Sequence, residues 1–163
     1  MHGTQAKNVV TLKLAVAAGK WLVNTGKAAL KGAANSDIFF GGKGNNTITG
    51  VNGRDVAVYR AADAWGKDTI AATKGTMTLV LGGLTAKKVT RSLNKDTGVM
   101  TITKKVDTSQ KITVKGWNAA THNIVYATAT ALKPFTTYLN AASPTDAQKQ
   151  AAQNSVFKAA KLA

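Results

Sequence analysis

Three contiguous blocks of nine residues constrain this chain more than any other feature: "GAANSDIFF" (32–40), "GGKGNNTIT" (41–49) and "GVNGRDVAV" (50–58). Position one is Gly32, Gly41 and Gly50; position six is Asp37, Asn46 and Asp55; position eight is Phe39, Ile48 and Ala57. Carried backwards, the register puts Leu12, Trp21 and Leu30 at position eight, and Asn8, Ala17, Gly26, Asn35, Gly44 and Gly53 at position four. Most position-four residues tolerate a left-handed backbone. Such a period predicts a β-roll, in which each block makes one turn and one short strand. Two blocks complete a coil of about 18 residues, and parallel strands stack with position eight facing a shared core. Over 5–31 a helix is the alternative, because "KLAVAAGKWLVNTGKAALK" is rich in helix formers despite two glycines.

The blocks resemble the G-G-x-G-x-D-x-U-x nonapeptide of the RTX proteins, with U a large apolar residue. The resemblance is best over 32–70, where "GKDTI" (66–70) looks like the element that closes an RTX repeat block. The stretch from "TMTLVLGGLTAKKV" to "KITVKGW" is similar to the β-rich segment that follows such repeats. Strands are expected near Leu79–Leu81, Lys88–Arg91, Val99–Thr103 and Ile112–Val114, with "NKDTG" (94–98) as a hairpin loop that uses Gly98 for positive φ. In the tail, "NIVYATATAL" offers a further strand and "SPTDAQKQAAQNSVFKAAKL" a helix, capped by Ser143 or Thr145. The expected fold is therefore all-β: a short parallel β-roll over 1–70, an antiparallel β-region over 71–142 and a C-terminal helical tail over 143–163.

The resemblance implies calcium at the turns, and calcium takes six to eight oxygen ligands. Asp37 and Asp55 lie two blocks apart and stack on one side, which makes them the candidate site. Asn46 faces the other side, with Asp68 or Asp63 as the nearest acid, and an amide there makes a weaker site.

Lys and Arg number 22 against seven acids, all Asp, for a net charge of +15. Such a field favours anionic partners. The candidate polyanion contacts are Lys87, Lys88, Arg91, Lys104, Lys105, Lys111 and Lys115. Strand alternation puts Lys111 and Lys115 opposite Ile112 and Val114, and puts Lys104 on the side of Met100 and Ile102. Cysteine is absent, which removes disulfides and thiol catalysis. His122 stands alone in "NAATHNIV", and no G-x-S-x-G elbow is present. No apolar run reaches the roughly 18 residues that cross a membrane.

These residues suggest a non-enzymatic module, and the RTX resemblance implies an extracellular or cell-surface one, exported by type I secretion without a cleaved signal. Its expected role is assembly with itself or adhesion, as a subunit of a surface layer, matrix or filament. One alternative is a binding module for acidic polysaccharide or nucleic acid. The other is the C-terminal secretion and folding module of a larger RTX toxin or enzyme.

Overall fold

A computed structural model describes residues 18–23, 29–72 and 74–162. It is β-rich, with parallel and mixed sheets and two C-terminal helices. The strands are β1 (Ala18–Val23), β2 (Ala29–Lys31), β3 (Ser36–Phe40), β4 (Thr47–Gly50), β5 (Arg54–Arg60), β6 (Lys67–Ala72), β7 (Thr76–Gly82), β8 (Val89–Asn94), β9 (Val99–Lys104), β10 (Lys111–Lys115) and β11 (His122–Ala127). Helices α1 (Lys133–Asn140) and α2 (Asp146–Ala159) follow.

Consecutive strands from β1 to β7 alternate between two sheets. One sheet has the order β1-β3-β5-β7-β11, and the other β2-β4-β6-β10-β9-β8. Parallel partners lie eighteen residues apart at first, as in Ala29 with Thr47 and Ile38 with Val56. The interval then widens to twenty-two, as in Ile48 with Ile70 and Val56 with Thr78.

The two sheets differ in pattern because they differ in what covers them. The first is covered on both faces, and its strands are buried almost throughout: SDIFF in β3 is wholly buried, as are five of the seven residues of RDVAVYR in β5. Parallel strands covered on both sides read this way. Phe39, Ala57, Tyr59, Leu79 and Leu81 face the second sheet, while Ile38, Phe40, Val56, Val58 and Val80 face Leu132, Phe135, Ala152 and Val156 of the helical layer. The second sheet alternates except in its edge strand β8, with Leu30, Ile48, Ile70, Ile112, Val114 and Ile102 turned inward.

Helix α2 starts where the sequence suggests, and Thr145 is its cap. Thr145 Oγ1 accepts from Gln148 N at 3.1 Å, and Gln148 Oε1 accepts from Thr145 N at 2.8 Å, a capping box. Ala152, Val156 and Ala160 form its buried stripe.

Three expectations change. First, Trp21 does not stack in the inner core. A register irregularity between Ala18 and Trp21 pairs Leu22 with Phe39 and Trp21 with Ile38. Trp21 therefore joins the helical layer, where its indole N–H donates to Tyr138 Oη at 3.0 Å. Second, the antiparallel region is narrower than 71–142. Only β8, β9 and β10 pair antiparallel; β7, β10 and β11 extend the parallel ladders through β5, β6 and β7. Third, helix α1 occupies the stretch after β11, entered through Pro134. Leu12 lies outside the described residues, and the segments described within 5–31 are strands.

Candidate functional site

The position-six side chains point inward, at the ends of the core strands. Asp37, Asp55 and Asp68 are 0%, 0% and 1% exposed, and Asn46 is 5% exposed. They bond one coil to the next. Asp55 Oδ1 accepts from the Asp37 backbone N–H at 2.9 Å, and Asp68 Oδ1 accepts from the Asn46 backbone N–H at 2.7 Å. Asp37 Oδ2 accepts from Ala33 N at 2.7 Å. Asn46 Nδ2 donates to Asp68 Oδ1 at 3.1 Å and to the Gly44 carbonyl at 3.2 Å. Each side of the stack thus carries one polar pair, Asp37–Asp55 and Asn46–Asp68. The pairs satisfy strand-end amides that would otherwise be orphaned in the interior.

This packing explains the glycine at position one. A Cβ added at Gly41 would lie 2.6 Å from Asn46 Nδ2, and one at Gly50 would lie 2.5 Å from Asp55 Oδ2. No side chain fits between the turn and the polar residue five positions later. Position four behaves as its composition suggests in two blocks: Gly44 and Gly53 have φ of 97° and 91°.

The pairs are electrostatically strained. Burial pushes the Asp55 carboxyl up to about 7, opposed by the hydrogen bond from the Asp37 amide and reinforced by the Asp37 carboxylate beside it. Burial also raises Asp68, to about 6, against hydrogen bonds from Asn46 and the nearness of the Tyr59 hydroxyl. Tyr59 Oη lies close enough to act on Asp68, yet neither Tyr59 Oη nor Asp68 Oδ2 meets hydrogen-bond geometry, so the pair is a contact rather than a bond. Tyr59 itself is raised, by burial first and then by the charge of Asp68.

One carboxylate oxygen of each of these Asp residues already accepts a hydrogen bond, and Asp55 Oδ2 and Asp68 Oδ2 have no hydrogen-bond partner. Calcium draws its ligands from carboxylates and carbonyls converging on one point. Here Asp55 Oδ1, Asp68 Oδ1 and Asp37 Oδ2 are each aimed at an N–H donor, inside the wall rather than at an open turn. Among the described residues, no three His, Cys, Asp or Glu side chains come together.

The basic residues separate into three places. Lys104 is 3% exposed and acts as an internal strut. Its ammonium donates to the carbonyls of Ala61 and Asp63 and to Gln110 Oε1, and it lies 4.6 Å from the Trp65 ring centroid. The sequence places it inward but also counts it as a polyanion contact; burial withdraws it from that set. Lys87 and Lys88 sit on an exposed 3-10 turn, Ala86–Lys88, and Lys105 follows β9, also exposed. Arg91 is exposed on β8, where it pairs with Ile102 on the inward side. Lys111 and Lys115 project from the outer face of the second sheet, away from the buried Ile112 and Val114. Lys31 and Lys67 occupy that same face and come from strands distant in sequence.

His122 opens β11 and is buried, with Nδ1 accepting from Asn118 N at 3.2 Å and its ring 5.3 Å from that of Trp117. Asp63 is engaged by Arg60 in an ion pair of 2.7 Å. No described helix is long and apolar enough to cross a membrane. Compared with protein-family models, with curated proteins and with solved structures, the chain matches none.

Proposed function

We propose that the chain is a short β-roll of the RTX kind, serving as a secreted, non-enzymatic structural module that adds end to end in an extracellular layer, matrix or filament. One observation carries this reading. Among the described strands the second sheet has six and the first has five, so the stack ends on a step. At that step β8 is the last strand of its sheet, and its inward side is buried at Val89 but uncovered beyond it: Leu93 is 41% exposed and Arg91 is exposed, whereas Met100 and Ile102 on the neighbouring β9 are buried. The edge of β11 lies at the corresponding end of the other sheet. A strand edge offers unpaired backbone groups beside an apolar side chain, and another copy's strand satisfies both.

Sedimentation and electron microscopy across a hundredfold concentration range test this. Rods of constant width that lengthen with concentration are the expected result. Leu93→Lys should halt growth without changing the circular dichroism spectrum. A monomer at every concentration refutes end-to-end addition.

A further inference from the structure

The outer face of the second sheet carries an ordered array of hydroxyls and lysines. Across five neighbouring strands, register partners form one unbroken row: Thr47, Thr69, Thr113, Thr101 and Ser92. On one side of it runs the row Lys67, Lys111, Thr103 and Thr90. On the other runs Lys31, Thr49, Ala71 and Lys115. All of these residues are exposed or half-exposed. The helices cover the opposite sheet, and among the described residues none joins a core cluster on this face.

We propose that this face binds a linear acidic polysaccharide laid across the strands. Strand spacing of about 4.8 Å makes the hydroxyl row about 19 Å long, and the flanking rows stand about 7 Å to either side. That is a flat lane, lined by donors and acceptors and bordered by cations. No acidic residue projects from it: the one acid in these strands, Asp68, is buried in the Asn46 pair. A chain bearing both hydroxyls and carboxylates or sulfates matches the two kinds of side chain offered. None of the six strands contains an aromatic residue, so bases have nothing to stack on, and a nucleic acid would be held by its phosphates alone. The proposal is independent of end-to-end addition, since a single copy presents the whole lane.

The test uses the full chain, with polygalacturonate as probe, neutral dextran as control and single-stranded DNA of matched charge as competitor, in 0.15 M salt, where screening acts over about 8 Å. Polygalacturonate should bind more tightly than DNA, and dextran should not bind. Thr69→Val with Thr113→Val keeps the strands' β-branched character and removes two central hydroxyls. It should weaken polygalacturonate binding about tenfold, equivalent to about 1.4 kcal/mol, and leave DNA binding unchanged. Lys111→Gln with Lys115→Gln should weaken both. Lys87→Gln with Lys88→Gln, off this face, should change polygalacturonate binding less than Lys111→Gln with Lys115→Gln. Melting curves confirm folding, and the Lys111/Lys115 variant keeps the question decidable should the threonine variant unfold. Tighter binding to DNA, a threonine variant that folds and binds as before, or equal losses from the two lysine pairs would each overturn the assignment.

Discussion

Consider Asp37→Asn at pH 8. In the native protein Asp55 is raised from 3.8 to about 7, first by burial and further by the Asp37 carboxylate. A group whose folded pKa lies above its unfolded value binds its proton more tightly in the fold. The stability it confers is fully present below about pH 4 and is lost as pH rises through about 7. A rise of that size is worth about 4 kcal/mol, or on the order of 10 °C in Tm for a chain of this size. Asp68 adds a loss of the same sign. The other pair shows what an amide does in the Asp37 position: Asn46 Nδ2 donates to Asp68 Oδ1 at 3.1 Å, while its backbone N–H keeps the second bond at 2.7 Å. The carbonyl oxygen of the introduced amide can still accept from Ala33 N, as Asp37 Oδ2 does in the native protein. The substitution therefore turns a carboxylate–carboxylate contact into an amide–carboxylate bond and leaves burial, the larger cause, in place. The expected result is little change at pH 5 and a gain at pH 8 of about 1–2 kcal/mol, the order expected when a like charge beside a buried carboxylate is replaced by a hydrogen-bond donor. Urea denaturation at both pH values and fixed ionic strength measures it. The substitution raises the formal net charge of the +15 chain by one, a small change in global repulsion that is present at both pH values, so the difference between them reports the pair. Equal destabilisation at both pH values would falsify this account of the Asp37–Asp55 contact.

Lys104→Met should cost about 1–3 kcal/mol in the same assay, because three part-buried acceptors lose a charged donor; polygalacturonate binding, measured alongside, should not move. Millimolar calcium or chelator should leave Tm unchanged. An ion bound at a hundredfold excess over its Kd would add about 2.7 kcal/mol, so a clear rise with calcium would restore the metal to the Asp37–Asp55 turn.

Much of the inner wall is legible in the sequence because a strand's side-chain period is two and a coil's is fixed. Leu30, Ile48, Phe39 and Ala57 follow directly from the glycine and apolar spacing. The stacking of Asp37 with Asp55, and of Asn46 with an acid on the other side, is legible for the same reason. Their chemistry is not. Whether a position-six carboxylate faces an open turn or an amide inside the wall depends on a rotation that spacing does not encode. Spacing misplaces Trp21 because a one-residue irregularity at β1 exchanges inner and outer faces. The hydroxyl lane is hidden for a different reason. Lys67 and Lys111 are neighbours only because the β8–β9 hairpin is inserted between two parallel partners, which separates them by forty-four residues in sequence. Taken singly the threonines carry no signal, since TIT at 47–49 and at 101–103 each reads as ordinary strand.

The insertion also bears on which wall is free to act. Up to β7 the chain alternates between sheets, and each addition extends both equally. The hairpin adds β8 and β9 to the second sheet alone, and the chain then returns through β10 to β11. The helices that follow are spent on the first sheet, where Leu132, Phe135, Ala152 and Val156 seal Val56, Val58 and Val80. The second sheet is thereby made wider and left uncovered, and its outward residues are mostly threonine, serine and lysine, with Ala29, Ala71 and Val99 as the apolar members. Had its outer positions been apolar, an uncovered face of this width would be an aggregation hazard. Being hydroxylated and cationic, it stays compatible with water while remaining flat and regular. The proposed binding and the proposed assembly would use separate surfaces: the lane lies on the broad face, and the step at β8 and β11 lies at the end of the stack. A polysaccharide bound across the strands would run toward that step, so copies added there would continue one lane into the next.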